Sequence, residues 1–199
     1  MKDTDSLRAY REKRDFDKTG EPAGERRPAS EKPVFVIQKH DASRLHYDFR
    51  LEIGGVLKSW AVPKGPSTDP GEKRLAVPTE DHPMDYADFE GVIPEGSYGA
   101  GTVIVWDTGT YRNLRERNVD HPVNMEESYR GGKVLVWLEG MKLRGGYALI
   151  RTHMGGEENW LLVKERDSEA DPRRDPASTE PRSALSGKTL EEIAEAGDK

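Results

Sequence analysis

The chain has 199 residues, 34% of them hydrophobic and 34% charged, with no cysteine and a net charge of −6. That length holds one well-cored domain with tails, and the lack of cysteine excludes disulfides and thiol chemistry, leaving His, Asp and Glu as metal ligands. The acidic balance argues against a protein that coats nucleic acid through a broad basic surface, and no run approaches the roughly 20 apolar residues of a membrane span, so a soluble, cytoplasmic monomer is expected.

Met1–Lys32 carries 17 charged residues in 32, with Leu7, Tyr10 and Phe16 as its sizeable apolar anchors. It reads as a mobile arm with a short helix around Ser6–Lys13, and its Arg14-Asp15-Phe16 island is placed to fold over a site. The expected barrel domain then runs over 33–166, and 167–199 is expected as a linker or tail.

Val34–Gln38 predicts a short apolar strand, followed by a polar connection that contains His40. In Leu45–Ile53 the residues alternate: Leu45, Tyr47, Phe49, Leu51 and Ile53 on one face, His46, Asp48, Arg50 and Glu52 on the other. Alternation of period two is the mark of a strand. Gly54-Gly55 supplies a two-residue turn, and Val56–Val62 alternates again, completing a hairpin. Pairing Ile53 with Val56 sets Arg50 opposite Ser59, Asp48 opposite Ala61 and His46 opposite Pro63.

The imidazole of His46 and the carboxylate of Asp48, on next-but-one residues, can converge on one cation. Such a nitrogen–oxygen pair suits Zn, Mn or Fe(II) better than Ca or Mg, with Arg50 beyond it and His40 as a third ligand. The competing reading is a charged outer face meeting water. The small residues across the hairpin and the second imidazole favour a site.

Lys64 follows in a Pro- and Gly-held loop, Arg74–Thr79 predicts another strand, and His82 sits among Glu80, Asp81 and Pro83 where it could act as a general acid or bind phosphate. Gly91–Gly101 is glycine-dense but has no GK[ST] ending, and tight turns explain it better than a nucleotide loop. Strands are then predicted at Thr102–Trp106, Thr110–Asn113, Lys133–Leu138, Tyr147–Thr152 and Asn159–Val163. The turn signals between them include Thr108-Gly109, Glu139-Gly140, Gly145-Gly146 and Gly155-Gly156. The fold class is therefore all-β, a closed or nearly closed antiparallel barrel with short helices and flexible termini.

Lys39–Glu52 resembles the signature of the 3′-phosphoesterase domain of bacterial ligase D, the end-joining ligase. So do Trp60–Pro66, Glu80–Pro83, Phe89–Gly101 and Asn159–Lys164, in the right order across about Arg14–Asp167. The resemblance implies a β-barrel enzyme of DNA repair with a Mn²⁺-type site, Zn²⁺ or Co²⁺ being alternatives. Such an enzyme removes a 3′-terminal ribonucleoside as a phosphodiesterase and then the 3′-phosphate as a phosphomonoesterase, leaving a 3′-hydroxyl. It implies His40, His46 and Asp48 as metal ligands, and Arg50, Lys64, Arg74 and His82 on the phosphate. Tyr86 would stand behind them, with Arg14, Asp15 and Glu21 serving the diesterase step. The substrates would be 3′ ends of DNA or DNA/RNA primer-templates, and the partners an end-joining ligase, a polymerase or Ku-type factors. The chain has no ligase Lys-x-Asp-Gly motif, so a stand-alone enzyme or an excised domain is expected.

Two rivals remain at this stage. An Fe(II)/2-oxoglutarate oxygenase also uses a His-x-Asp pair with a distant His, for which His121, followed by Arg130, is available. A non-catalytic barrel binding single-stranded nucleic acid would need aromatics on an open face, whereas Tyr47, Phe49 and Trp60 fall on the apolar one.

Overall fold

The computed structural model describes residues 5–117, 120–153 and 158–197. Nine strands form one antiparallel sheet: β1 (Val34–Asp41), β2 (Leu45–Ile53), β3 (Val56–Val62), β4 (Lys73–Pro78), β5 (Gly91–Ile93), β6 (Gly101–Asn113), β7 (Lys133–Gly140), β8 (Arg144–Thr152) and β9 (Asn159–Lys164). The order β1-β2-β3-β4-β9-β8-β7-β6 closes on itself through β1–β6 pairing, giving an eight-stranded barrel. Long β6 lends one edge to β1 and shares the other between β7 and β5. The predicted turn at Gly155-Gly156 lies outside the described residues.

Alternation along each strand decides what fills the barrel. Tyr47, Phe49, Leu51 and Ile53 point inward with Trp60, Trp106, Trp160, Leu138 and Leu149. Trp60 and Trp160 meet edge to face at 5.4 Å, an arrangement favoured by their ring quadrupoles. Large aromatics thus fill the interior. The short helix α2 (Met125–Arg130), started by an Asn124–Glu127 capping box, sends Met125 and Tyr129 onto this cluster.

The expected hairpin register is found: Ile53 pairs with Val56, Arg50 with Ser59 and Asp48 with Ala61, the ladder ending at Tyr47–Val62. Gly54 and Gly55 have φ of 62° and 80°, the two positive values that this turn needs. Three expectations are corrected: β1 does not stop at Gln38 but runs to Asp41, so His40 is a ladder residue rather than part of a loop, Thr108-Gly109 lies within an unbroken β6, and Gly145-Gly146 lies within β8.

The flanking segments lie against the barrel. In the arm, Leu7, just before α1 (Arg8–Glu12), and Tyr10 within it are completely buried. A small second core of Tyr10, Val36, Leu57, Tyr86 and Val105, with Phe16 and Phe89 against it, forms on the outside of the wall made by β1, β2, β3 and β6. The arm is anchored further along where Arg27 N–H donates to the Gly55 carbonyl at 3.0 Å. A side chain at Gly55 would strike Arg27 O, so this docking also requires glycine.

Beyond β9 the chain crosses the barrel through α3 (Pro176–Thr179) and α4 (Leu190–Gly197). Tyr47 OH donates to Ala177 O at 2.9 Å and Trp106 Nε1 to Glu180 O at 2.7 Å. Lys142 Nζ donates to Arg182 O at 2.8 Å, and Ala184 N to Val105 O at 2.8 Å. Each such bond contributes about 1 kcal/mol net, more where its loss strands a buried partner such as the Trp106 indole. Truncation after Arg166 should therefore lower the urea unfolding midpoint by the equivalent of ~3–5 kcal/mol. A midpoint equal to that of the full chain would show that the crossing adds nothing to the fold.

Candidate active site

The outer face of β2 carries the chemistry, and β1 completes it. His40 is paired directly with His46 across the β1–β2 ladder, and Gln38 with Asp48, so all four share a face. The two imidazoles stand 4.8 Å apart between centroids. His40 Nδ1 is 3.6 Å and His46 Nε2 is 3.7 Å from the Asp48 carboxylate. One donor atom from each of the three residues lies within 4.8 Å of the others.

Backbone carbonyls fix which ring nitrogens face inward. His40 Nε2 is 2.9 Å from Gly99 O, and His46 Nδ1 is 2.9 Å from Arg44 O. A carbonyl only accepts, so these nitrogens carry protons, and the opposite ones, His40 Nδ1 and His46 Nε2, are left to serve as ligands. These two inward nitrogens and the carboxylate lie close together, as the second-shell bonds of metal-binding histidines arrange. The set fits a divalent transition metal.

Asp48 is buried, and burial alone would raise its pKa. The Arg50 guanidinium, 3.2 Å away, and the two imidazoles outweigh this and hold it well below the usual carboxylate range. For His46, burial works against the charged form, but the Asp48 carboxylate wins and raises its pKa.

Arg50 is 2% exposed and held on every side. Its Nε donates to Gln38 Oε1 at 2.8 Å and its Nη1 to Ser59 Oγ at 2.9 Å. Gln38 Nε2 in turn donates to the carbonyls of Tyr86 and Phe89, both at 3.0 Å, so the amide is fully used.

His82 reaches this face from the other side through a bridge in which its backbone and that of Leu57 exchange two hydrogen bonds. Its Nδ1 lies 2.9 Å from Glu80 O and its Nε2 3.3 Å from Arg14 Nη2. Nδ1 also faces Arg50 Nη1 at 3.0 Å, so the ring donates from Nδ1 to the carbonyl in one tautomer and accepts there from Arg50 in the other. Burial, then the Arg50 and Arg14 guanidiniums, push its pKa well below the usual imidazole value. Burial and the two cations thus disfavour the charged ring.

The arm adds a buried ion network. Arg14 donates from Nε to Glu21 at 2.8 Å and from Nη1 to Glu80 at 3.0 Å, and Tyr86 OH donates to Glu21 at 3.0 Å. Arg14 also lies over the Tyr10 ring, 4.0 Å from its centroid.

These groups surround a cavity of about 170 Å³ whose lining includes Arg14, His40, His46, Asp48, Arg50 and His82. A larger concavity, about 830 Å³, lies away from them beside Glu31, Tyr111 and Arg117. Size favours that groove, but convergent, strongly perturbed titratable groups make the smaller cavity the candidate site.

The DNA ligase D 3′-phosphoesterase domain family matches residues 38–151. The chain belongs to this family. It is 51% identical over 196 residues to the multifunctional non-homologous end joining protein LigD of Pseudomonas aeruginosa, covering 96% of this chain and 22% of the relative. With its namesake from Mycolicibacterium smegmatis it shares 46% over 164 residues, 82% of this chain and 21% of the relative. The Mycobacterium tuberculosis LigD, a multifunctional non-homologous end joining DNA repair protein, is 48% identical over 158 residues, 79% and 19% of the two chains. The phosphoesterase-family chain thus spans about a fifth of the length of these curated relatives.

Of the residues singled out in this phosphoesterase domain by sequence, the cavity gathers His40, His46, Asp48, Arg50, His82, Tyr86 and Arg14. Glu21 stands directly behind Arg14 and Tyr86. Asp15 does not join them: it is exposed, paired with Lys18 at 2.8 Å, and faces a neighbouring chamber. Lys64 is exposed in the loop after β3, outside the cavity lining. Arg74 is in step with Ala76 and paired with Leu162, both interior residues, and donates to Glu72 at 2.6 Å. His121 is not part of the metal-competent group among the described residues, which removes the distal ligand that the oxygenase reading needs. Sequence reasoning passed over Gln38 and Glu80 as site residues. A Gln ending an apolar strand on the parity of His40 was the available signal for the first.

A chain with this site should gain stability from manganese. A hundredfold excess over the Kd should add about 2.7 kcal/mol to the wild type, read as a rise in melting temperature, and nothing to His46→Ala. Equal shifts in both would refute the three-ligand assignment.

The neutral, buried His82 also has a pH signature. Its folded pKa lies below the unfolded one, so under about pH 6.5 the unfolded chain binds a proton that the folded chain refuses, and stability falls with falling pH. His46, with a raised pKa, acts in the opposite sense, so the comparison is wild type against His82→Asn. Their stability difference should change by up to about 1.4 kcal/mol per pH unit below pH 6.5. Parallel curves would show that His82 is charged in the fold.

Proposed function

We propose that this chain is a metal-dependent 3′-end-healing phosphoesterase of DNA repair. It removes a 3′-terminal ribonucleoside as a phosphodiesterase and then the 3′-phosphate as a phosphomonoesterase, leaving a 3′-hydroxyl. The observation that carries the reading is the grouping of two inward-facing imidazole nitrogens and the Asp48 carboxylate beside a buried guanidinium. Family membership supports phosphoester chemistry.

His40, His46 and Asp48 would hold the ion, manganese by preference with zinc or cobalt as substitutes. When bound, that ion supplies charge neutralisation and Lewis-acid polarisation at the phosphoryl group. The chain's own residues do the rest. Arg50, locked by Gln38, Ser59 and Asp48, presents a fixed positive charge to a phosphate oxygen without reorganising. Arg14 supplies a second guanidinium from the arm, and its grip on Glu21 and Glu80 ties phosphate binding to closure of that segment.

His82 meets Arg14 Nη2 at 3.3 Å through Nε2 and Arg50 Nη1 at 3.0 Å through Nδ1, so it spaces the two guanidiniums across the cavity. The negative charge of a docked phosphate would offset both cations and return proton affinity to this ring. It can then protonate the leaving oxygen. Lys64 and Arg74, which the resemblance would put on the phosphate, lie outside the cavity and take no part in holding it here. The substrates are 3′ ends of DNA or DNA/RNA primer-templates, handled alongside an end-joining ligase, polymerase or Ku-type factor.

A 5′-labelled primer-template ending in one ribonucleotide tests this. With manganese the primer should shorten by one nucleoside to a 3′-phosphate and then to a 3′-hydroxyl. Chelation or His46→Ala should reduce both steps by at least about 10³-fold, the scale of losing a principal electrostatic stabiliser. Near wild-type rates in the His46 variant would sink the reading, and succinate formed with Fe(II) and 2-oxoglutarate would replace it by an oxygenase.

A further inference from the structure

Next to the catalytic cavity lies a second chamber of about 140 Å³, between the arm and the β5–β6 loop, lined in part by Asp15, Lys18, Thr19 and Ser97. Arg14 and Tyr98 line both spaces and so form their common wall. Tyr98 is 48% exposed, one of the few large apolar side chains so open to solvent. It is nevertheless held in place. The Lys13 ammonium lies 4.6 Å and the Arg14 guanidinium 5.4 Å from its ring centroid, contacts that fix an aromatic plane.

The backbone under the ring is equally constrained. Ser97 N donates to Pro94 O and Ala100 N to Ser97 O, at 3.1 and 3.2 Å. The next residue, Gly99, is the one whose carbonyl orients His40. The ring's position is therefore tied to the metal-competent centre through one peptide unit.

We propose that Tyr98 is the stacking platform for the 3′-terminal nucleobase, seating the departing nucleoside in the second chamber while its phosphate lies between Arg14 and Arg50. This rests on the phosphoesterase reading and deepens it by assigning what recognises the leaving group. A half-bare aromatic beside a phosphate site suits any base, because every base has a π-face. The hydroxyls of Thr19 and Ser97 and the carboxylate of Asp15 suit the sugar, giving exposed Asp15 a place near the reaction although the catalytic cavity excludes it.

A purely structural role competes, since Tyr98 OH lies 3.2 Å from Lys13 Nζ and 3.5 Å from Glu80. The two roles differ in whether the ring or the hydroxyl matters. The test measures kcat/KM with manganese on primer-templates ending in a ribonucleotide, in an abasic ribose and in a 3′-phosphate. Selectivity is the ratio of the ribonucleotide end to the 3′-phosphate end.

Tyr98→Ala should lower that selectivity by about tenfold, the order of one base–aromatic stack, and Tyr98→Phe should keep it within about twofold of wild type. The abasic end should cost the wild type a similar factor and cost Tyr98→Ala nothing more. Selectivity equal in wild type and Tyr98→Ala, or Phe losing as much as Ala, overturns the platform. A wild type that acts on neither end would bring down the phosphoesterase reading itself, whereas an active 3′-phosphatase with unchanged selectivity would bring down the platform alone.

Discussion

The register between β1 and β2 is the constraint on which the rest of this molecule depends. Because side chains alternate, sliding one strand by a single residue would turn its inward side chains outward. In the observed register His40 faces His46 and Gln38 faces Asp48, while Ile37 and Phe49 point into the barrel. The same alternation that packs the interior therefore assembles the metal-competent trio outside it. Core packing selects the register, and the chemistry inherits its precision.

Putting charge on the outside of a barrel and then burying it carries a desolvation cost that only complete pairing can offset. Asp48 is met by Arg50, Glu21 and Glu80 by Arg14, and the spare hydrogens of Arg50 by Gln38 and Ser59. His82 stays uncharged between the two guanidiniums. Removing any member strands the others in a dry environment, so the network acts as a unit that joins arm, sheet and the Glu80–Tyr86 segment. A site prepared in this way has little left to rearrange when an anion arrives.

The barrel and the hairpin were legible because their signals are local. Alternation over Leu45–Ile53, two glycines and renewed alternation specify both partners and their register, and the Arg50–Ser59 pairing follows by counting. His40 was harder, since Lys39-His40-Asp41 is polar and reads as a connection, although β6 on its far side keeps it in the ladder. The arm was harder still. Its 17 charges in 32 residues resemble a solvated segment, and its few anchors reveal their role only against a surface that distant parts of the chain create. Parity along β4 would have directed Arg74 inward with Ala76, away from Asp48, had that strand's core face been known.

Filling the barrel with Trp60, Trp106 and Trp160 has a consequence for where function can reside. A closed eight-stranded barrel of this kind leaves no lumen for a substrate, so any site must lie on the outer wall and must be given its own cover. Here two segments supply that cover, the charged arm and the glycine-rich loop, and they meet where Lys13 and Arg14 approach Tyr98. A lid of greasy residues would exclude water but would have nothing to offer a polyanion. A lid rich in arginine and lysine, neutralised at rest by Glu21 and Glu80, covers the site and still presents positive charge to an incoming phosphate. The high charge content that makes the arm look unstructured in the sequence is thus the property that suits it to cover this site.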